Sequence, residues 1–162
     1  MYKIGDHLAH PGHGVCTVQE ICTKSFGGQT ILYFILIPES DPHTTVMVPV
    51  EKAEMIGIRD IITSETADQI LSFLMRSEDK ADWNSDSKSR KKTYETAMKG
   101  SDLFALAEMI RSLLVQESTV VLNNYDKAIL PKAEKRLLSE IALAKGLCFD
   151  DTLSMVCHAI KA

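Results

Sequence analysis

The pattern of apolar residues changes near residue 57, and this change constrains the fold more than any other feature of the chain. Before it, runs rich in β-branched and aromatic residues alternate with turn formers, which is typical of strands. After it, apolar residues recur at helical spacing. The strand-like runs are 15–21, 31–37 and 44–50. The sequence therefore predicts an α+β fold, with a small SH3- or Tudor-like β-barrel over residues 1–58 and an all-α domain of about five helices over residues 59–162.

Turn formers and capping residues subdivide both regions. Gly27-Gly28 is well placed for a tight hairpin between two strands. Helices are expected to begin at Thr63 or Ser64, near Lys88, at Ser101 or Asp102, and at Asp150-Asp151. Pro131 either opens the helix that carries residues 133–144 or kinks a longer helix that begins near Asn124, and the pattern leaves both possibilities open.

Composition argues for a reduced, cytoplasmic protein that does not enter a membrane. The longest apolar run, 31–37, is far shorter than the roughly 20 residues that cross a bilayer, and the first residues lack the layout of a signal peptide. The four cysteines form no CxxC pair and no dense disulfide pattern, so they are expected to be reduced and mostly buried.

The net charge of −4 argues against binding nucleic acid through the overall field of the protein, since such binding needs clustered Lys and Arg against phosphates. Residues 1–58 contain three Lys/Arg and six Asp/Glu, and residues 59–162 contain 15 and 16. Any contact with DNA must therefore be local or delivered by a partner, and we expect negligible affinity for free DNA.

A metal-dependent enzyme is disfavoured. His7, His10, His13 and Cys16 recur every three residues, and imidazole and thiolate are zinc ligands. The proline and glycines between them prevent the helix that would align them, and on a strand residues three apart point to opposite faces. GxSxG, HExxH and glycine-rich phosphate loops do not occur in the sequence. We expect no catalysis, no metal and no cofactor.

A solitary tryptophan, Trp83, lies in the polar stretch 77–89. The cations that follow it are Lys88, Arg90, Lys91 and Lys92. On a helix, positions 88, 91 and 92 share one side, with Arg90 about a third of a turn or more away. An indole without local apolar partners is either docked into a core or displayed for a partner. An indole displayed beside cations suits insertion into a DNA minor groove while the cations bind the phosphates. The alternative is that the basic run is only a solvated helix face.

Several stretches together resemble the bacterial CarD/CdnL proteins, whose first domain is shared with the RNA-polymerase-interacting module of the transcription-repair coupling factor. They are YKIGD at 2–6, HPGHGV at 10–15, MVPVE at 47–51, IGIR at 56–59, the solitary Trp83, LAEMIRSL at 106–113 and EIALA at 140–144. Each stretch is weak alone, whereas their order and spacing are specific. The chain lacks the basic tail of the larger CarD proteins and is similar to the short, tail-free branch.

The resemblance implies a transcription regulator whose barrel binds the β subunit of RNA polymerase and whose helical domain contacts promoter DNA at the upstream fork of the bubble. The outcome in that family is a longer-lived open complex. The residues implied are Trp83 as the wedge, Lys88, Arg90, Lys91 and Lys92 as phosphate contacts, and Lys24 and Met47 on the polymerase-binding surface.

Two departures from the family pattern bear on this assignment. Met47 stands where some relatives have a basic residue, and the segment 84–87 is longer than usual, which affects the register of the cations relative to Trp83. A monomer is expected. The alternative function is a protein-interaction adaptor without DNA contact, in which Trp83 packs between helices and the cations face solvent.

Overall fold

The computed structural model describes residues 1–76 and 83–161, and the chain divides into two compact units. Unit 1 spans Met1–Ile61, and unit 2 begins at Ile62. Unit 1 contains an antiparallel sheet and unit 2 is helical, so the predicted α+β class is confirmed. The first part of the polar stretch, 77–82, lies outside the described residues.

Unit 1 is a four-stranded sheet in which each strand pairs antiparallel with the next. Its strands are β1 (His7–His10), β2 (Gly14–Phe26), β3 (Gln29–Pro38) and β4 (Val46–Pro49), followed by a 3-10 turn (Val50–Lys52) and the short helix α1 (Ala53–Ile56). The predicted hairpin is confirmed, because Phe26 pairs with Gln29 across Gly27 and Gly28. These glycines take φ values of 56° and 83°, the left-handed region that a two-residue hairpin turn requires.

The strand β1 was not among the predicted runs, because it does not alternate between buried and exposed residues. Leu8 and Ala9 are neighbours and both are buried. Ala9 exchanges two backbone hydrogen bonds with Arg59, at 2.8 and 3.1 Å, so the end of unit 1 covers an edge of the sheet that would otherwise be open. The core of unit 1 consists of Leu8, Cys16, Val18, Phe34, Leu36, Val48, Ala53 and Ile58.

Five helices make up the described part of unit 2. They are α2 (Ser64–Leu74), α3 (Ser87–Lys99), α4 (Leu103–Glu117), α5 (Asn124–Lys145) and α6 (Phe149–Lys161). The helix α4 contacts each of the other four, and Leu106, Ile110 and Leu113 on it are completely buried. Among the described helices, none has both the length and the apolar character required to span a bilayer.

Polar side chains cap the helices close to the expected positions. Thr63 caps α2 by accepting a hydrogen bond from the Thr66 amide, and Asp102 caps α4. The helix α6 begins earlier than expected, since the amide of Thr152 already donates to the Cys148 carbonyl at 3.1 Å. The predicted cap, Asp150-Asp151, therefore lies in the first turn, where its charge is favourable to the helix dipole.

The structure resolves the alternatives for Pro131 in favour of the longer helix. The helix α5 is 22 residues long, begins at Asn124 and contains Pro131 in its interior. Proline has no amide hydrogen, so the hydrogen bond that would end on the carbonyl of Lys127 is missing. Pro131 is also exposed, so its ring contributes little to the core.

We expect Pro131→Ala to raise the free energy of unfolding by about 1 to 3 kcal/mol, because alanine restores the helical amide and has a far higher helix propensity. Denaturant titration measures the change, and Lys132→Ala, at the neighbouring exposed position, is the control. An unchanged or lower stability would contradict this view of α5 and mean that its packing depends on the proline.

Candidate functional site

Trp83 and the cations that follow it are joined by a short segment that caps α3. The side-chain oxygen of Asn84 accepts a hydrogen bond from the Asp86 amide at 3.0 Å, and Asp86 in turn accepts one from the Lys88 amide at 3.2 Å. The amide group of Asn84 also donates to the hydroxyl of Ser89 at 3.0 Å. These local bonds fix the register between Trp83 and α3.

Arg90 is buried although it belongs to the basic run. It is only 6% exposed. Its Nε and Nη2 atoms donate to the two carboxylate oxygens of Asp126, at 3.3 and 2.6 Å, and Nη1 donates to the Asn84 carbonyl at 2.8 Å. This bidentate pair joins α3 to the first turn of α5.

Trp83 is half-buried and packs against the apolar core of unit 2. The guanidinium carbon of Arg90 lies 4.3 Å from the centre of the indole ring, which is the geometry of a cation–π contact. Arg90 therefore holds the ring, the backbone just after it, and Asp126 at the same time. We call Trp83, Asn84, Arg90 and Asp126 the Arg90 cluster.

Asp126 is 1% exposed, and sequence reasoning did not identify it. Its backbone amide donates to the side chain of Asn123, the cap of α5, so the carboxylate lies where the helix dipole favours a negative charge. The sequence alone shows Asp126 only as part of a capping pattern. A weak signal was available in Arg90, whose position on α3 departs from the side shared by the lysines.

The remaining cations are exposed. The lysine face consists of Lys88, Lys91 and Lys92, which lie along one side of α3. The ammonium group of Lys91 is 5.2 Å from the centre of the Tyr125 ring. The structure therefore places three of the four expected phosphate contacts at the surface. Arg90 differs because its guanidinium is buried against Asp126 and its three nitrogens are bonded to Asp126 and Asn84.

Tyr94 lies on α3, is buried, and belongs to the apolar core of unit 2. Burial, followed by the charge of Asp126, raises the pKa of Tyr94 to about 12. The phenol is therefore neutral at physiological pH.

In unit 1 the strand register brings the two expected polymerase-binding residues to one face of the sheet. Lys24 pairs with Ile31, Met47 pairs with Ile35, and residues two or four apart on a strand share a face. Phe34 and Val48, which belong to the core, point to the opposite face. Lys24 is exposed and Met47 is 41% exposed.

Sequence reasoning missed an aromatic pair on the same face. Phe26 is 58% exposed, and the centres of the Phe26 and Tyr33 rings are 6.4 Å apart. The register places both rings on the face that carries Lys24. Their β-strand pattern was visible in the sequence, but the identity of the face required the register.

The histidine-rich segment does not form a single polar centre. His7 contacts Thr17 at 3.2 Å and Glu39 at 3.7 Å, whereas the rings of His10 and His13 pack edge to face at 4.9 Å. Cys16 is completely buried, and burial raises the pKa of its thiol to about 12. Within residues 1–76 and 83–161, no group of three or more His, Cys, Asp or Glu is arranged to hold a metal ion.

Comparison with known families agrees with this architecture. Residues 2–62 match the model of the CarD-like/TRCF RID domain, and residues 69–156 match that of the CarD C-terminal domain. The chain belongs to the CarD family. It is also 28% identical over 147 residues to the Bacillus subtilis (strain 168) protein named "Putative transcription factor YdeB", an alignment covering 91% of this chain and 94% of that relative. These relationships support a role in transcription regulation, and the family is not one of enzymes.

Proposed function

We propose that this CarD-family protein regulates transcription by holding RNA polymerase at promoters in the open state. Unit 1 binds the β subunit of the polymerase, and Trp83 of unit 2 enters the minor groove at the upstream edge of the bubble. One observation carries the proposal: a half-buried indole is held just before α3 by contact with Arg90, on the helix that also carries the exposed lysine face.

The chemistry of this surface suits a distorted DNA duplex. A large flat apolar side chain inserts between base pairs at a weakly stacked step, which costs a few kcal/mol of unstacking unless the DNA is already distorted. The edge of a melted region removes most of that cost. The lysine face supplies the cations that hold the neighbouring phosphates.

Binding to polymerase compensates for weak affinity toward DNA. The net charge of −4 gives the protein little attraction to DNA in general. When unit 1 is bound to the polymerase, however, the local concentration of unit 2 near the promoter becomes high, and the DNA contact does not need to be strong by itself. A preference for melted over closed promoter of about 1.4 kcal/mol raises the open population about tenfold.

Trp83→Ala tests the wedge. We expect binding to polymerase to be unchanged and the lifetime of the open complex to fall about tenfold, toward its value without the protein, because the contact with the distorted step is lost. Promoter dissociation kinetics measure the lifetime. The control is Phe104→Ala, since Phe104 is an aromatic residue of unit 2 that is 45% exposed on another helix. A wild-type lifetime for the tryptophan variant would contradict the proposal.

Charge reversal tests the lysine face. The double variant Lys91→Glu/Lys92→Glu should shorten the open-complex lifetime at low salt, and the difference from wild type should shrink as salt is raised, because phosphate contacts are screened. Lys132→Glu, on α5, changes a lysine outside this face and is the control. A defect that is the same at every salt concentration would mean that these lysines do not contact phosphates.

The polymerase-binding surface is tested by Lys24→Glu. Reversing a cation on the exposed face of the sheet should weaken capture of the isolated β subunit in a pull-down, because rim charges steer and orient such interfaces. Lys52→Glu, in the 3-10 turn, is the matched control. Capture at the wild-type level by the Lys24 variant would place the binding surface elsewhere.

The alternative, an adaptor that binds proteins without touching DNA, is favoured by one observation: Trp83 also packs against the core of unit 2. The two functions differ in their effect on promoter DNA. If the protein is such an adaptor, the Trp83 variant and the Lys91/Lys92 variant both leave the open-complex lifetime unchanged. Only the Lys24 variant then shows a defect, in capture of the β subunit.

A further inference from the structure

The position of Trp83 depends on groups that are distant from it in sequence. The helix α3 buries few residues against the rest of unit 2: Tyr94 and Ala97 join the apolar core, and Arg90 makes polar contacts. At the far end of α3, Arg136 of α5 donates to the carbonyls of Met98 and Gly100. At the near end, the same helix α5 supplies Asp126. Both ends of α3 are therefore held by α5.

Arg90 connects Asp126 to the indole. Its three nitrogens are all engaged, two with Asp126 and one with the carbonyl of Asn84, and its guanidinium carbon lies over the Trp83 ring. A guanidinium that is held at every nitrogen has little freedom to rotate. The indole that packs against it is consequently held in one orientation, partly covered by the guanidinium and the core of unit 2 and partly exposed.

We propose that Asp126 is a positioning residue for Trp83 and acts through Arg90. The carboxylate fixes the guanidinium, and the guanidinium fixes the angle and the exposure of the indole. The effect of Asp126 on promoter complexes rests on the proposed function, since the orientation of the indole affects a promoter only if Trp83 contacts DNA. The effect on the indole itself does not depend on that assumption.

The chain offers a site-specific probe, because Trp83 is its one tryptophan and all indole fluorescence reports on it. Asp126→Asn keeps the shape of the side chain and removes its charge. The matched control is Asp68→Asn, which breaks the ion pair between Asp68 and Lys145 in the same unit. Arg90→Lys is a second variant that keeps the charge opposite Asp126 but lacks the planar fork and the stacking face.

We expect acrylamide quenching of Trp83 to increase about twofold in Asp126→Asn and Arg90→Lys, because the covered face of the ring becomes accessible. Asp68→Asn should remain at the wild-type value. Circular dichroism and thermal unfolding identify which variants remain folded, and only those are compared. Wild-type quenching in a folded Asp126→Asn or Arg90→Lys protein would overturn the proposal.

A double-mutant comparison separates positioning from general stabilisation. Asp126→Asn should shorten the open-complex lifetime in the wild-type background and have no further effect in the Trp83→Ala background, because it acts through the indole. An equal loss in both backgrounds would overturn the positioning role. If Trp83→Ala leaves the lifetime unchanged while Asp126→Asn still raises quenching, the proposed function fails and the positioning of the indole by Asp126 is supported.

Discussion

The buried pair of Arg90 and Asp126 ties α3 to α5, and the location of Trp83 depends on it. Both residues are almost completely removed from water, with exposures of 6% and 1%. Removing one partner of such a pair leaves an uncompensated charge in a low dielectric, which typically costs about 3 to 5 kcal/mol. The pair therefore tolerates little rearrangement. The indole stacked on its guanidinium is placed by the same constraint.

A fixed indole has a functional advantage for an interaction that must be weak. A side chain that is already ordered loses little rotamer entropy when it binds. A single contact between the indole and DNA therefore contributes more to the free energy of binding. In the proposed function, the lysine face adds phosphate contacts without burying a charge. The chain belongs to the CarD family, and residues 2–62 match the CarD-like/TRCF RID domain. This is consistent with the proposal that unit 1 binds the polymerase and so keeps unit 2 near the promoter.

Local rules predicted much of this structure. The glycines at 27 and 28 favour a hairpin, and the caps Thr63 and Asp102 are each one of two neighbouring polar residues expected to accept backbone hydrogen bonds. Two features depended on tertiary contacts and could not be read from the sequence. The short strand β1 is stabilised by pairing with Arg59, and Asp126 meets Arg90 from 36 positions away. Arg90 consequently appeared to be one more surface cation.

The central claim is that Trp83 touches promoter DNA at the upstream edge of the bubble, and site-specific cross-linking tests it most directly. A photoreactive phenylalanine analogue would replace Trp83, and the variant would be irradiated in open complexes on end-labelled promoter DNA. The account predicts cross-links confined to the few nucleotides at the upstream fork, absent when polymerase is omitted. Cross-links to polymerase subunits alone, with none to either DNA strand, would contradict it.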